Sequence, residues 1–312
     1  MNTELNSPLS ASMWKGRLQK LHKEDVMSGL KLSHLPLPGL SRLIVSQLSL
    51  LPLLMSSSVL ADSTQLKVGV LVPESSFQMG CSVKDSDCES DEGKPGGVSV
   101  FVPAFYIDTH EVMVSEYQAC LDAGKCQRPK DHDRNQYCNL GAKGRDHHPI
   151  NCVDWSQAQA FCQWRGQRLP YEAEWEKAAR ASSLTRYPWG DAVSCKQAIL
   201  DDGKTMGSVA GEPDGCGEDR TWPIGSRSAN ALGLFDMHGN VGEWTMNWYA
   251  KDGIAQYVQG NLTDQKPTPR KVVRGGSWDE TALNLRSSFR NIKAPISGDS
   301  IYGSIGFRCA ND

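Results

Sequence analysis

Ten cysteines constrain this chain more than any other feature, and all of them lie after residue 61 of the 312. An even number of cysteines in an exported chain points to disulfides, which fix the segments that lie side by side. Short separations close small loops at little entropic cost. The pairs favoured by spacing are Cys81–Cys88, Cys120–Cys126, Cys138–Cys152 and Cys195–Cys216. Cys162 and Cys309 remain, and a bond between them would close the longest loop and restrict the unfolded chain most.

Zinc is the alternative explanation for so many cysteines. No two of them are separated by only two residues, and no His-x3-His pattern accompanies them. Structural zinc sites usually show such spacings, so the sequence argues against one.

A basic region followed by an apolar stretch lies near the N-terminus. Six basic residues between Lys15 and Arg42 precede the apolar stretch 43–55, and small residues at Val59 and Ala61 suit cleavage. We expect residues 1–61 to be a signal peptide, with Met13 or Met27 as alternative starts. The other interpretation is an uncleaved anchor, for which the stretch is short. The mature chain, 62–312, is then periplasmic or secreted, with no stable membrane anchor after cleavage.

Composition excludes one class of partner. The formal net charge is -3 and the pI is near 6.2, so the chain lacks the basic footprint of a nucleic-acid-binding protein. Its 29 glycines and 16 prolines are spread evenly rather than collected into a linker, which indicates one domain after the leader.

Local patterns predict a few short elements. One helix begins at Asp154 or Ser156 and ends at Gly166, and a second begins just after Pro170. A shorter helix is expected over 115–123, and strands are expected over 68–72 and 101–107. The chain after Ser182 is predicted to be rich in loops.

Several motifs occur in a fixed order along about 240 residues. They include Phe77-Gln78-Met79-Gly80, Arg168-Leu169-Pro170, the run 234–249, Arg274-Gly275-Gly276-Ser277-Trp278 and Gly306-Phe307-Arg308-Cys309. Together they resemble the formylglycine-generating enzyme / sulfatase-modifying-factor family. The resemblance implies an α+β fold, a loop-rich mixed α/β single domain related to C-type lectins.

The resemblance also shows what the chain lacks. Catalytic members of the family carry two cysteines just after the GGS segment, where they bind copper(I), a soft ion that requires thiolates. Here no cysteine lies between Cys216 and Cys309. Copper is therefore not an expected cofactor. Formylglycine generation on sulfatases would need Cys309 to be free, and its place in the family motif argues that it is bonded.

A calcium site is implied by the same resemblance. The family ligands map to the Asp236 side chain, the carbonyls of Gly239 and Val241, and the Glu243 carboxylate, an oxygen set that suits structural Ca2+. The alternative is that Asp236 caps a turn and Glu243 pairs with a nearby arginine. A second family calcium site is expected to be lost near Ile199 and Cys216, where the disulfide would hold the loop instead.

By position, the cleft of the family fold would be lined by residues that follow the GGS segment. These cleft candidates are Ser277, Trp278, Asp279, Glu280, Arg286, Arg290 and Asn291. Asp279 and Glu280 suggest an acid/base pair, and the two arginines suggest a grip on an anionic substrate. The alternative is that both arginines pair with acidic neighbours such as Asp279.

Three functions remain from this sequence. The first is an exported, calcium-stabilised binding or accessory module of the cell envelope, whose partner is a peptide, a glycan or an envelope protein. The second is a cysteine-independent tailoring oxidase of the pyoverdine-maturation type, acting on a peptide or secondary metabolite. The third is formylglycine generation.

Overall fold

The computed structural model describes residues 69–130, 135–203, 215–218, 220–263, 266–295 and 303–312. The chain divides into two units, Met1–Asp62 and Ser63–Asp312, and every described residue belongs to the second. The predicted signal peptide lies outside the described residues. Among the helices that are described, none has the length and apolar character needed to cross a bilayer.

Short elements joined by long loops make up the fold. In chain order they are β1 (Val70–Val72), β2 (Ser75–Met79), β3 (Val98–Val102), β4 (Phe105–Ile107), α1 (Val114–Asp122), α2 (Trp155–Trp164), α3 (Glu172–Arg180), β5 (Gly242–Trp248), α4 (Gly253–Val258), β6 (Lys271–Arg274), a 3-10 turn (Ala282–Leu285), β7 (Asn291–Lys293), β8 (Ile305–Gly306) and β9 (Ala310–Asn311). The predicted α+β class is confirmed.

The strands form three small sheets. Their orders are β1-β4-β9, β2-β3 and β7-β6-β5-β8, and β8 runs parallel to β5 whereas the other pairs are antiparallel. β9 at the C-terminal end pairs with β4, with Tyr106 opposite Asn311. The two ends of the described domain therefore meet in one sheet.

The helices begin where the sequence predicts. Asp154 caps α2 by accepting a hydrogen bond from the Gln157 backbone N–H at 2.8 Å, and the chain leaves the helix through Gly166, whose φ is 73°. α3 starts two residues after Pro170. All nine residues of α3 are buried, five of them ionisable. A helix of that kind requires charged partners from the surrounding loops.

Two predictions of secondary structure were wrong. The predicted strand 101–107 is divided between β3 and β4, because Pro103 has no N–H for a ladder and the two halves join different sheets. The region after Ser182 also contains the four-stranded sheet, whose central strands β5 and β6 are almost entirely buried. Both-sided burial removes the alternation that identifies a strand in sequence.

All five predicted disulfides are present. They join Cys81–Cys88, Cys120–Cys126, Cys138–Cys152, Cys162–Cys309 and Cys195–Cys216. All ten cysteines of the sequence are thereby bonded. The longest bridge, with a sequence separation of 147 residues, ties α2 to the segment between β8 and β9.

Candidate functional site

β6 delivers the chain into a tight turn that begins at Gly275 and Gly276. Both have positive φ, 96° and 68°, and a Cβ on Gly276 would lie 2.6 Å from the Leu285 side chain and 2.9 Å from the Asn284 carbonyl oxygen. Only glycine fits this conformation and this close approach. The turn brings the predicted cleft residues Ser277, Asp279 and Glu280 together.

An acidic pair forms the centre of this turn. The Ser277 hydroxyl donates to Asp279 Oδ1 at 2.6 Å, and Asn291 Nδ2 donates to Glu280 Oε1 at 2.9 Å. Both carboxylates are half-buried. Burial, and after it the charge of Asp279, raise the pKa of Glu280 to about 7 against the opposing effects of Lys293, Ser277 and Asn291. Glu280 is thus a carboxyl group that can exchange a proton near neutral pH.

The Trp278 side chain is packed in the interior and is not exposed to solvent. Its side chain is buried, and its ring lies 5.3 Å from the ring of Tyr137. The Trp278 backbone N–H donates to the Asn240 carbonyl oxygen at 3.0 Å, which joins this turn to the run 234–249. Trp278 therefore supports the acidic pair and does not offer a ring face to a ligand.

Neither Arg286 nor Arg290 has a guanidinium group available to bind an anionic substrate. Arg286 forms a two-pronged ion pair with Glu92, at 2.6 and 2.7 Å, and donates to Asp85 at 3.0 Å. Arg290 holds Glu172 in the same way, at 2.6 and 2.9 Å. Both guanidinium groups are buried. The arginines therefore pair with acidic residues of the protein and do not bind a substrate. Asp279, which the sequence suggested as a partner, pairs with neither arginine.

The residues mapped to calcium are partly occupied by other contacts. Both oxygens of Glu243 accept from Arg308, at 2.7 to 2.9 Å, and Oε2 also accepts from Trp175 Nε1 at 2.8 Å. Asp236 Oδ2 accepts from the Gly225 N–H at 2.6 Å. These contacts match the alternative in which Asp236 fixes a turn and Glu243 pairs with an arginine.

Glu111 belongs to this cluster but was missed in the sequence. It is fully buried and accepts from the Val241 N–H at 3.1 Å and from Asn240 Nδ2 at 2.7 Å. Burial holds the pKa of Glu111 well above its usual range, and Asp236 and Glu243 raise it further. Glu111 and Val112 belong to a motif of the family resemblance, but the role of Glu111 in this cluster was not predicted, because its partners lie about 130 residues further along the chain.

These side chains do not fit a calcium ion as they stand. Ca2+ needs six to eight oxygen ligands, whereas the Glu243 carboxylate is already shared between Arg308 and Trp175. The guanidinium of Arg308 already offsets the charge of the buried Glu243 carboxylate. The carbonyl groups of Gly239 and Val241 are neutral, so they do not supply negative charge for a calcium ion. Calcium binding stays a prediction.

Two further places bear on metal binding. At the second mapped site, the Cys195–Cys216 disulfide holds the loop beside Ile199, as expected. Elsewhere, Asp85, Cys88 and Glu92 lie close enough to share an ion. Cys88 is in a disulfide, however, and Arg286 bonds both carboxylates, so this group is not open to a metal.

Comparison with known proteins agrees with the fold. The family model described as "Sulfatase-modifying factor enzyme 1-like domain" matches residues 57–312. The chain is 35% identical over 177 residues to the formylglycine-generating enzyme of Mus musculus, covering 54% of this chain and 45% of that one. It is 30% identical over 225 residues to the serine/threonine-protein kinase pkn1 of Chlamydia caviae, covering 68% of this chain and 33% of the kinase. The matches thus span less than half of either relative.

A solved structure is similar over most of the domain. PvdO from Pseudomonas aeruginosa superposes with a TM-score of 0.62 at 26% sequence identity, covering 78% of this chain and 93% of PvdO. Nearly the whole of a solved protein therefore corresponds to the domain described above.

Proposed function

The chain belongs to the sulfatase-modifying factor enzyme 1-like domain family, and on that premise we propose that it is an exported binding or accessory protein of the cell envelope. The observation that carries the proposal is the state of the cysteines, since all ten are in disulfides. Disulfides persist in oxidising compartments, which supports export.

This chain has no free cysteine that could bind copper(I) as a thiolate. Copper(I) is held by thiolates, and a cysteine in a disulfide offers none. The segment that follows Ser277 contains Asp279 and Glu280 and no cysteine before Cys309. The activity in the name of the murine relative is therefore not proposed for this chain.

The acidic turn suits recognition by hydrogen bonds. The carboxylates of Asp279 and Glu280 offer acceptor oxygens at a half-buried turn, and the neighbouring Ser277 and Asn291 side chains hold them in place. Carboxylates at such a position accept from hydroxyl groups of a glycan or from amide groups of a peptide. We therefore favour an uncharged or cationic glycan or peptide as the ligand over an anion.

Binding can be tested on immobilised glycans and peptides with the purified exported form. We expect an isosteric Glu280→Gln, Asp279→Asn double variant to lose at least about tenfold in affinity for any ligand that the wild type retains. Exposed Glu89 offers a matched control, Glu89→Gln, which should bind as the wild type does. Equal binding by the double variant would remove the cleft from the proposal.

Export and thiol status need one mass measurement. The exported protein should begin at Asp62 and show no blocked thiol before reduction and ten after it. A blocked thiol before reduction would reopen copper chemistry, and a mass that includes residues 1–61 would contradict cleavage.

Acid–base catalysis is the second candidate function, and the environment of Glu280 favours it. A carboxyl with a pKa of about 7 can donate and accept a proton near neutral pH. Together with the likeness to PvdO, this supports a cysteine-independent tailoring enzyme of the pyoverdine-maturation type. Incubation with a pyoverdine precursor, followed by liquid chromatography and mass spectrometry, separates the candidates. A product that disappears with Glu280→Gln would favour the enzyme over the binding module.

A further inference from the structure

A cavity of about 310 Å³ lies between β2 and the loop that follows α3. Residues 75–78 of β2 line one side, and residues 182–184 line the other. None of the residues of the acidic turn lines it. The cavity is thus a separate place on the domain, at the small end of the range for ligand clefts.

One of the strands that line the cavity, β2, has an unpaired edge. β2 pairs with β3 along its whole length, from Ser75 opposite Val102 to Met79 opposite Val98, in a sheet of two strands. Within the described ranges, no second strand joins β2. An unpaired edge presents backbone N–H and C=O groups in the spacing that an extended peptide matches.

The opposite wall is built from an uncommon backbone conformation. Ala181 and Ser182 both have positive φ, 47° and 72°, although neither is glycine. This conformation costs free energy for residues with a Cβ. The two residues turn the chain sharply after α3 and leave Leu184 exposed beside the cavity. The wall therefore combines backbone groups with one apolar side chain.

A positive charge without a carboxylate partner lies in the lining. Lys177 Nζ donates to the carbonyl oxygens of Pro73 at 2.6 Å, Ser75 at 3.2 Å and Val102 at 3.2 Å. Glu174 and Glu74 both attract it electrostatically, and the Glu174 carboxylate is also held by Arg168 at 2.7 and 2.8 Å. The charge of Lys177 is thus solvated mainly by backbone dipoles.

The second cation in the lining forms an ion pair with a carboxylate that Arg274 shares. Arg180 pairs with Glu176 at 2.8 Å and donates to the Gly80 carbonyl oxygen. With Lys177 the lining holds two cations, so the electrostatic preference of the cavity is for an anion.

We propose that this cavity binds an extended peptide that carries an acidic side chain. The peptide backbone pairs with the free edge of β2 as a third strand, and its carboxylate faces Lys177. Serine hydroxyls at 75, 76, 99, 182 and 183 supply further hydrogen bonds, and Leu184 packs against an apolar neighbour in the peptide. This inference goes beyond the proposed function, because it uses none of the residues of the acidic turn.

The test uses the full exported chain and a defined probe. The probe is a fluorescein-labelled peptide of sequence Val-Thr-Glu-Thr-Val with blocked ends, and binding is read by fluorescence polarisation. We expect saturation with a Kd below about 1 mM, and a loss of about fivefold when the Glu of the probe is replaced by Gln. Hydrogen exchange of the β2 amides should slow in the complex.

Two variants localise the binding. Ser76→Trp fills the cavity from an exposed strand position and should weaken binding at least about tenfold. Phe101→Trp is the matched control, because Phe101 lies directly opposite Ser76 on β3, is 55% exposed and does not line the cavity. It should bind as the wild type does.

Four results would overturn the proposal. They are no saturation with the wild type, equal binding by Ser76→Trp, equal binding of the Glu and Gln probes, and complete displacement of the probe by an equal concentration of acetate. The last would identify a site for a small anion. The probe comparison uses only wild-type protein, so it decides the matter even if Ser76→Trp fails to fold. Failure here would leave the acidic turn and the proposed function untouched.

Discussion

Replacing Glu280 by glutamine should stabilise the protein at high pH and leave it unchanged at low pH. The pKa of this carboxyl rises from an ordinary 4.5 to about 7 in the folded state, chiefly through burial. Each unit of pKa corresponds to about 1.4 kcal/mol, so ionised Glu280 destabilises the fold by roughly 3 kcal/mol above pH 7. Because the group is only partly buried, solvent reduces the expected effect to about 2 kcal/mol.

The sign follows from proton linkage. Below pH 4.5 Glu280 is protonated in both the folded and unfolded chains, so it has no effect on the difference between them. Between pH 4.5 and 7 the folded chain holds its proton more tightly, and stability falls as the pH rises through this window. Glutamine removes the titration while keeping an oxygen that can accept from Asn291. The gain from Glu280→Gln should therefore grow from about zero at pH 4 to its full value at pH 8.

Thermal melts of the two proteins at pH 4, 6 and 8 measure this gain. For a domain of this size about 2 kcal/mol corresponds to roughly 4–8 °C in Tm. Glu89→Gln is the control, since Glu89 is exposed and should show no difference that depends on pH. A difference in Tm that is the same at pH 4 and pH 8, or a loss of stability at pH 8, would refute the assignment of a buried proton to Glu280.

Three further predictions concern the framework. Replacing Cys162 and Cys309 by serine should lower the free energy of unfolding by about 4 kcal/mol in urea, because their bridge spans 147 residues, whereas replacing the Cys120–Cys126 pair should cost less; equal costs would contradict this. Arg308→Met should cost about 3–5 kcal/mol in the same assay, since it leaves Glu243 buried without a cation, and a cost below about 1 kcal/mol would show that the pair is not needed. Melting temperatures in excess Ca2+ and in EDTA should agree within about 2 °C; a rise above about 5 °C with Ca2+ would restore the predicted calcium site.

Features that depend on neighbours along the chain were predictable from the sequence. Four disulfides follow from short separations, and the fifth follows from the two cysteines that remain. The start of α2 follows from Asp154, whose side chain reaches only three residues ahead. The helix cap and the four short disulfides depend on residues close together in the chain. The fifth disulfide follows because only two cysteines remain.

The partners of buried charges were not predictable in this way. Arg286 meets Glu92, 194 residues away, and Arg290 meets Glu172, 118 residues away. Nearby Asp279 looked like a partner, but it lies with Ser277 instead. A single sequence contains no signal for pairings that arise only when distant segments of the chain pack together. The raised pKa of Glu280 was equally hidden, because burial causes it.

The bridge between Cys162 and Cys309 has a consequence for the order of events during biogenesis. In the exported chain that we propose, oxidation of that pair must wait until Cys309 has emerged from the export machinery, whereas the four short loops can close as soon as their own segments arrive. During this interval Cys162 remains a reactive thiol that can attack a neighbouring bridge by exchange. Cells that lack a disulfide isomerase in this compartment should therefore accumulate mispaired forms in which Cys162 is joined to an earlier cysteine.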